Sequence, residues 1–572
     1  MPADRSIVRL LHWAGFIFFI LVSIQISFAQ SLDNLSEKDP IKINGGLSVT
    51  QIGYAANGIE NRRDPYSYFL NGNINLSLYG WSIPFSFALS NQNRSFQQPF
   101  NQFGLHPTYK WATAHVGYAS MTFSPYTLSG HIFRGVGVDL SPGKFHFAAM
   151  YGNLQRAVPW DSANSRKAAF RRDGFGIKTG YRDGSDYAEI SLFHGQDEIN
   201  SVSLIPTDDS LLPEENLVLG LSLGKSLFDK IILTSELATS AITRDTRSEA
   251  GNDRTPFAQL GYDSRLSTSY YNALKGNATY QGNNYTVGVG YERIDPGYRT
   301  HGAYYFNNDL VNYTVNASTV LLDSKLNLSA SGGLQHDNLD HTKVSTMNRV
   351  VGSLNAAYAP TPKLSLNASY SNFQSYTNIR SQFVNINQLT PYDNLDTLKF
   401  TQLTQSLNLG ANYMLGGDAK KKQFASVNIA VQDAAEKQSQ VEQNSGSRFY
   451  NLNTTYSINF VPAGLGVSVS YNANQNKSPL GDLITHGPAA SINKSLLQRK
   501  LRLTLGGAFN NTVMEGKTIN QIVNVRTNAI YVLAKKHNLN LGIVAVNRHA
   551  KTGVGPQSFT EYTGTLTYSY TF

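Results

Sequence analysis

The pentapeptide Gly220 to Gly224, GLSLG, has the G-x-S-x-G spelling of a nucleophile elbow. That device needs a strand, a strained turn and then a helix, so that the serine hydroxyl is lifted clear of the backbone for attack. Ser222 instead sits inside the alternation Leu217, Leu219, Leu221, Leu223, the pattern of one strand running straight through. The neighbouring Gly224 to Ser226, GKS, looks like the tail of a phosphate loop, but Leu219 stands where that loop's first glycine must be. With no credible Ser, His and acid set elsewhere, no catalytic residue is assigned and no enzymatic activity is expected.

Metal chemistry has one candidate cluster. HDNLDH brings His336, Asp337, Asp340 and His341 into one loop, and imidazoles with carboxylates are a donor set for zinc or another divalent ion. The spacing fixes no geometry, and a solvated loop accounts for the same letters. Asp208, Asp209, Glu214 and Glu215 form an acidic loop that lacks the positional repeat of a dedicated calcium site. No resident metal and no cofactor are therefore assigned. The segment FSPYTLSGH stands out differently, because Phe123, Ser124, Pro125, Tyr126, Ser129 and His131 mix aromatics, hydroxyls and an imidazole where neighbouring loops are plainly hydrophilic. It could fold inward as a constriction, form a partner site, or pack on its own rim.

The elements that carry these residues repeat one unit: about ten residues of alternation, a turn, about ten more, then a loop. In Tyr66 to Leu78 the apolar or small series is Tyr66, Tyr68, Leu70, Gly72, Ile74, Leu76, Leu78. Tight reversals such as SPGK after Leu140, APTPK after Tyr358 and VPAG after Phe460 supply the Gly and Pro that hairpins need. Short turns alternate with long polar stretches, among them residues 153–173, 240–268, 374–401 and 433–447. A soluble sandwich has no reason to sort its loops by parity, whereas a membrane-spanning up-and-down barrel does. The fold class is thus all-β, a transmembrane antiparallel barrel of about 26 strands (roughly 22 to 28) with short periplasmic turns and long extracellular loops. The even number depends on reading Leu105 to Met121 as a hairpin turning near Trp111. At that width side chains cannot fill the interior, so polar positions such as Ser365, Asn367 and Ser369 point inward and Leu364, Leu366, Ala368 and Tyr370 outward.

Composition agrees. Of 572 residues, 11% are aromatic, with 32 Tyr and 29 Phe, while only 15% are charged, against roughly 25% in an average soluble domain. Arg5 and Arg9 precede an apolar run from Ala14 to Ile24 and a small-residue site at Ser27 to Ala29, which reads as a cleaved secretory signal over residues 1–29. A short periplasmic segment, 30–42, and a single barrel, 43–572, would follow. Loss of the signal takes Arg5 and Arg9 with Asp4 and lowers the net charge from +9 to +8. Spread over so long a chain, this makes no case for nucleic acid. There is no cysteine, hence no disulfide and no thiolate metal site.

The signal segment, the alternation, the loop parity and the closing YSYTF together resemble an outer-membrane β-barrel of a Gram-negative bacterium. The Asn- and Tyr-rich style is similar to that of Bacteroidetes proteins of the porin or transporter type. The resemblance implies that Tyr568, Tyr570 and Phe572 form the signal read by the barrel-assembly machinery, with outer-membrane lipid as the surrounding partner. Barrels of the TonB-dependent type carry a plug domain on the order of a hundred residues, and about a dozen residues between Gln30 and Ile43 leave no room for one. A channel or transporter for solutes or macromolecules, gated by inward loops or by a periplasmic or lumen-plugging protein, is expected. The alternative is a non-conducting barrel that anchors extracellular loops or a periplasmic partner in an assembly or export complex.

Overall fold

A strand with one apolar and one polar face needs a different solvent on each side, and a sheet of many such strands must also dispose of its two edges. In the computed structural model of the chain both problems are met by closure. The structure describes residues 41–91, 101–160, 168–202, 211–251, 256–304, 306–342, 348–372, 375–377, 401–417, 420–435, 437–438, 441–442, 447–478, 481–551 and 557–572. The expected signal, 1–29, lies outside them, as do most of segment 30–42 and residues Asp208 and Asp209.

The first strand, Ile41–Asn57, pairs antiparallel with the last, Phe559–Thr571, from Gly46 opposite Thr571 to Asn57 opposite Thr560. Gly45 and Phe572 exchange backbone hydrogen bonds of 3.2 and 3.1 Å just beyond that register. The terminal phenylalanine thus completes the seam. In between, each strand pairs with its neighbours in sequence. Gln102–Leu105 with Thr108–Tyr109, and Leu364–Ser371 with Ser375–Thr377, are interrupted single strands, so the wall has 26 strands in one closed antiparallel sheet. The hairpin expected near Trp111 is present, turning at Lys110 with a φ of 50°. Helix among the described residues is confined to Pro256–Gln259 and a 3-10 turn at Ile199–Ser201.

The two faces separate as the alternation requires. Leu503, Leu505, Val523, Val525, Leu541, Ile543, Leu566 and Tyr568 are exposed on the outer wall. On the inner wall small polar side chains bond from strand to strand, for example Ser331 with Ser353 at 2.8 Å, Ser468 with Ser491 at 2.7 Å, Asn528 to Asn540 at 2.7 Å and Thr50 with Thr567 at 3.0 Å. Asn408 likewise donates to Ser369, which puts Ser365, Asn367 and Ser369 on the inside. A closed, even-stranded wall that is apolar outside and polar inside satisfies every ladder group without water, which is the condition for crossing a bilayer with strands. The chain is an outer-membrane, multi-pass β-barrel. Two outer connections depart from the loop parity, one of them only the two residues between Ser478 and Gly481. The other, between Leu501–Met514 and Lys517–Ala534, is only the two residues Glu515 and Gly516, with φ of 50° and 76°, because that pair suits a tight hairpin turn.

Thr567 lies opposite Thr50 on one side and Asn540 on the other. Proline there removes a ladder donor in a strand paired on both sides, where proline is not accommodated. Thr567→Pro is expected to abolish the folded, heat-modifiable species on an unheated detergent gel while Thr567→Val keeps it. An unaltered folded band in the proline variant would mean that the seam does not hold the barrel.

Candidate functional site

The segment singled out by its mixed chemistry joins the strands Ala112–Thr122 and Ser129–Leu140. Its backbone folds on itself: the Phe123 N–H donates to Leu128 O at 2.8 Å, and the Tyr126 N–H to Ser124 Oγ at 3.2 Å. Ser124 and Pro125 supply this reversal, since a hydroxyl can mimic a backbone turn and proline fixes φ. Folded so, the segment turns into the lumen. Phe123 and Leu128 pack against Ala119, Met121, Phe133, Ala148, Met150, Leu154 and Phe193, all inward-facing, and form a hydrophobic core inside the barrel. Full burial of each large apolar side chain contributes about 1.5 to 3 kcal/mol.

Wall glycines make the space. A Cβ at Gly176 would stand 2.7 Å from the Phe123 ring, and one at Gly220 2.7 Å from Thr127 Cγ2 and 2.6 Å from Ser191 Oγ. Such separations are closer than side chains tolerate, so these positions act as sockets for the segment.

A second segment, residues 295–304 with 306–309, lies over the first. Tyr298 donates its hydroxyl to Tyr126 O at 2.7 Å, Thr300 donates to Thr127 O at 2.8 Å, and the Ser129 N–H donates to Gly302 O at 2.8 Å. Tyr126, Tyr298 and Phe306 meet edge-on or tilted and pack with Val218, Ala238, Ala273, Ile294 and Leu310 of the inner wall. Tyr304 stacks on His131, with ring centroids 4.1 Å apart, and accepts the Ile132 N–H at 3.1 Å. Burial pushes the Tyr126 and Tyr298 hydroxyls above their ordinary range, so both stay neutral donors.

Charged side chains of the inner wall hold the fold from beneath. The Lys178 ammonium donates to Phe123 O at 2.8 Å and lies 3.0 Å from Glu189, which also takes Arg182 at 2.6 Å and His146 at 2.8 Å. The Tyr126 hydroxyl donates to Glu292 at 2.6 Å, and Lys275 is 3.7 Å from that carboxylate. Near the outer end Arg172 grips Asp197 with two bonds of 2.7 and 2.9 Å and reaches Glu214 at 3.3 Å, where Arg299 and His301 also converge. Burial and the Arg172 charge push the His301 imidazole down to about 4, against the pull of Glu214. Burial alone would raise Glu214, but the His301 hydrogen bond and the nearby cations hold it well below the usual carboxylate range.

Of the residues marked in the sequence, Phe123, Ser124, Tyr126 and His131 are buried here, Ser129 is half-buried and Pro125 is exposed at the tip. Ser222 is mid-strand and donates its hydroxyl to Glu236 at 2.6 Å, with no elbow around it. His336 ends the strand Leu326–His336, and beyond it the Leu339 N–H is tied to Asp309 at 2.8 Å while Asp340 takes the Thr342 N–H and hydroxyl. No three potential metal ligands converge among the described residues. Glu215 pairs with His194 at 2.9 Å, apart from the Glu214 cluster. Sequence reading missed residues 295–309, although PGYRTHGAYYF has the same blend as FSPYTLSGH. It also missed Lys178, Glu189 and Glu292, whose signal was a charge at an inward position in mid-strand.

No protein-family model matches the chain, and no curated protein matches it. Among solved structures it is similar to the P pilus usher translocation pore PapC, with 10% identity over 93% of this chain and all of the other at a TM-score of 0.39. The unliganded ferric citrate transporter FecA is similar at 8% identity over 92% and 79% of the two chains, TM-score 0.37. The anion-selective porin of Comamonas acidovorans has 10% identity over 63% and 100%, TM-score 0.28. At such scores and identities these similarities carry nothing about cargo or gate.

Because the chain has no cysteine, Ser124→Cys gives a single thiol at a site only 3% exposed. Added Gly176→Val is expected to speed its reaction with a bulky maleimide by at least about tenfold, which corresponds to about 1.4 kcal/mol of local opening. Equal rates would mean that Gly176 is no socket. The same thiol reads pH. With the imidazole depressed in the folded state, release binds a proton more readily, so stability falls as pH drops from about 6.5 towards about 4, by on the order of 3 kcal/mol at most. The low Glu214 adds loss in the same direction at lower pH. Labelling, normalised to the unfolded chain, should accelerate over that range and flatten in His301→Gln. A constant rate from pH 7 to 4 would mean that the imidazole takes its proton inside the fold.

Proposed function

We propose that the protein is a constricted outer-membrane channel for hydrophilic solutes, narrowed by its own segments 123–128 and 295–309. The observation that carries this is that, among the described residues, the lumen is filled from one side. Both segments pack on the inner wall from Ala112–Thr122 round to Leu310–Leu321, while the remaining wall presents Asn, Ser and Thr side chains. A cavity of about 710 Å³ runs from the end of the filled wall, at Thr286 and Ser318, to Asn327, Ser329, Asn355 and Asn367 beyond it, and its lining, which also includes Val320, Leu328 and Ala356, has no charged side chain. Water and hydroxylated or ionic solutes suit such a surface, and width with lining charge would select among them. In this reading no separate plug domain is needed, residues 1–29 are a cleaved signal, the outer wall contacts lipid, and Tyr568, Tyr570 and Phe572 serve assembly.

A second reading, a barrel that anchors a partner, is favoured by the outer loop around Pro256–Gln259. It folds outward, burying Phe257 and Tyr262 against Leu217 and Ala241 and leaving Leu260 and Leu266 exposed. Conductance of the purified protein in planar bilayers separates the two. Replacing residues 123–128 by Asn-Gly should raise single-channel conductance by at least about twofold. A barrel that stays closed in both forms and copurifies with a stoichiometric partner would sink the channel reading.

A further inference from the structure

The half of the inner wall left free by the two segments has an uneven charge. Around the strands from Leu364–Ser371 through the seam to Thr108–Tyr109, alternate positions that register with the inward Asn, Ser and Thr rows carry Lys42, Lys422, Arg502, Arg526 and Arg548. The matching carboxylate among the described residues of that wall is Glu561 alone. On the filled half, by contrast, cations and carboxylates meet as pairs, Lys178 and Arg182 with Glu189, Arg172 with Asp197, Lys275 with Glu292.

Arg502, Arg526 and Arg548 climb the wall on successive strands. Arg502 is next to the periplasmic end of Leu501–Met514, and Arg526 lies in mid-strand with its side chain over Gly506, whose Cβ would come 3.1 Å from Nε. Arg548 is near the outer end of His537–Ala550. At that outer end the Phe559 ring carries two guanidinium groups, Arg62 at 4.6 Å and Arg548 at 5.7 Å from its centroid. Glu561 is already engaged by the Tyr54 hydroxyl at 2.6 Å and by Arg62 at 3.5 Å. Arg548 has no carboxylate partner among the described residues, and its Nε–H is buried without an acceptor. A buried cationic donor left unmet is costly, and an oxyanion is the group that relieves it, since guanidinium and carboxylate or phosphate match in shape and charge. Holding Arg62 and Arg548 on one ring concentrates positive charge at the mouth, where a low-dielectric wall focuses the field.

We propose that the free wall is an anion path and that Arg62 and Arg548, braced on Phe559, form its outer docking site for solutes bearing a carboxylate, phosphate or sulfate. The path rests on the channel reading above; the docking site does not. In planar bilayers under a potassium chloride gradient, the reversal potential should report chloride preference, and pyrophosphate but not sucrose should block current. Arg548→Gln should weaken that block by about tenfold and lower the chloride preference, and Arg548→Lys, which keeps the charge but not the fork, should restore the preference and only part of the block. A conducting barrel that prefers potassium, or whose block is the same in Arg548→Gln, overturns the inference and leaves the channel standing. Should the barrel not conduct, the channel and the path both fall, and calorimetric titration of the detergent-purified protein with pyrophosphate decides the docking site. Binding that weakens about tenfold in Arg548→Gln supports the site, and no binding overturns it.

Discussion

Backbone hydrogen bonding in a solvent that offers none is the constraint on which the rest of this structure depends. In hydrocarbon an unpaired N–H or C=O costs several kcal/mol, so an open sheet edge cannot persist there. The first and last strands therefore have to meet, and they do so through a continuous register that runs on to Gly45 and Phe572. Closure also dictates the side-chain pattern. With every strand paired on both sides, specificity of register rests on which face is apolar, because a one-residue slip would turn every leucine into the water-filled interior.

Closing 26 strands creates a second problem, a lumen too wide for wall side chains to fill. Part of the answer is a small globular core built inside the barrel. Phe123 and Leu128 give one half of it, Tyr126, Tyr298 and Phe306 the other, and each is received by small or apolar inward residues where most of the wall is Asn, Ser or Thr. The polar groups that this core buries are met in kind: Lys178 answers the Phe123 carbonyl, Glu292 the Tyr126 hydroxyl, Tyr298 the Tyr126 carbonyl. Satisfied networks of this sort fix one arrangement, because any displacement strands several partners at once.

Much of the wall was legible in the sequence because period-two alternation is a local property. Even the ambiguous Leu105 to Met121 resolved as a hairpin, with Lys110 and Trp111 at the reversal. The pairing of the last strand with the first runs from Gly46 to Asn57, a register that alternation alone does not fix, since strand ends carry little of it. Phe123 to His131 announced itself by composition, but composition left open whether it faced the lumen, the rim or a partner. That choice is made by Gly176 and Gly220, which look like ordinary small strand residues until their neighbours in space are known. The segment 295–309 was overlooked for a related reason. Its tyrosines and histidine gain meaning only from contact with a loop some 170 residues away in sequence, such as the Tyr298 to Tyr126 bond with a separation of 172.

Charge divides the lumen as packing does. Where the inner segments sit, each cation of the wall is spent on a carboxylate or a carbonyl, so the field it sends into the remaining space is that of a dipole and fades quickly. On the rest of the wall Arg502, Arg526 and Arg548 stand at inward positions with Lys42, and Glu561 is the one inward carboxylate among the described residues there. Two surfaces of one closed sheet thus have opposite electrostatic characters, although both come from the same alternating strands. The segments 123–128 and 295–309 lie on the charge-balanced side, and in the proposed channel a solute that passes them would be left against the cationic one. In the proposed channel, shape would exclude by size on one wall while the excess of inward cations would sort by sign on the other.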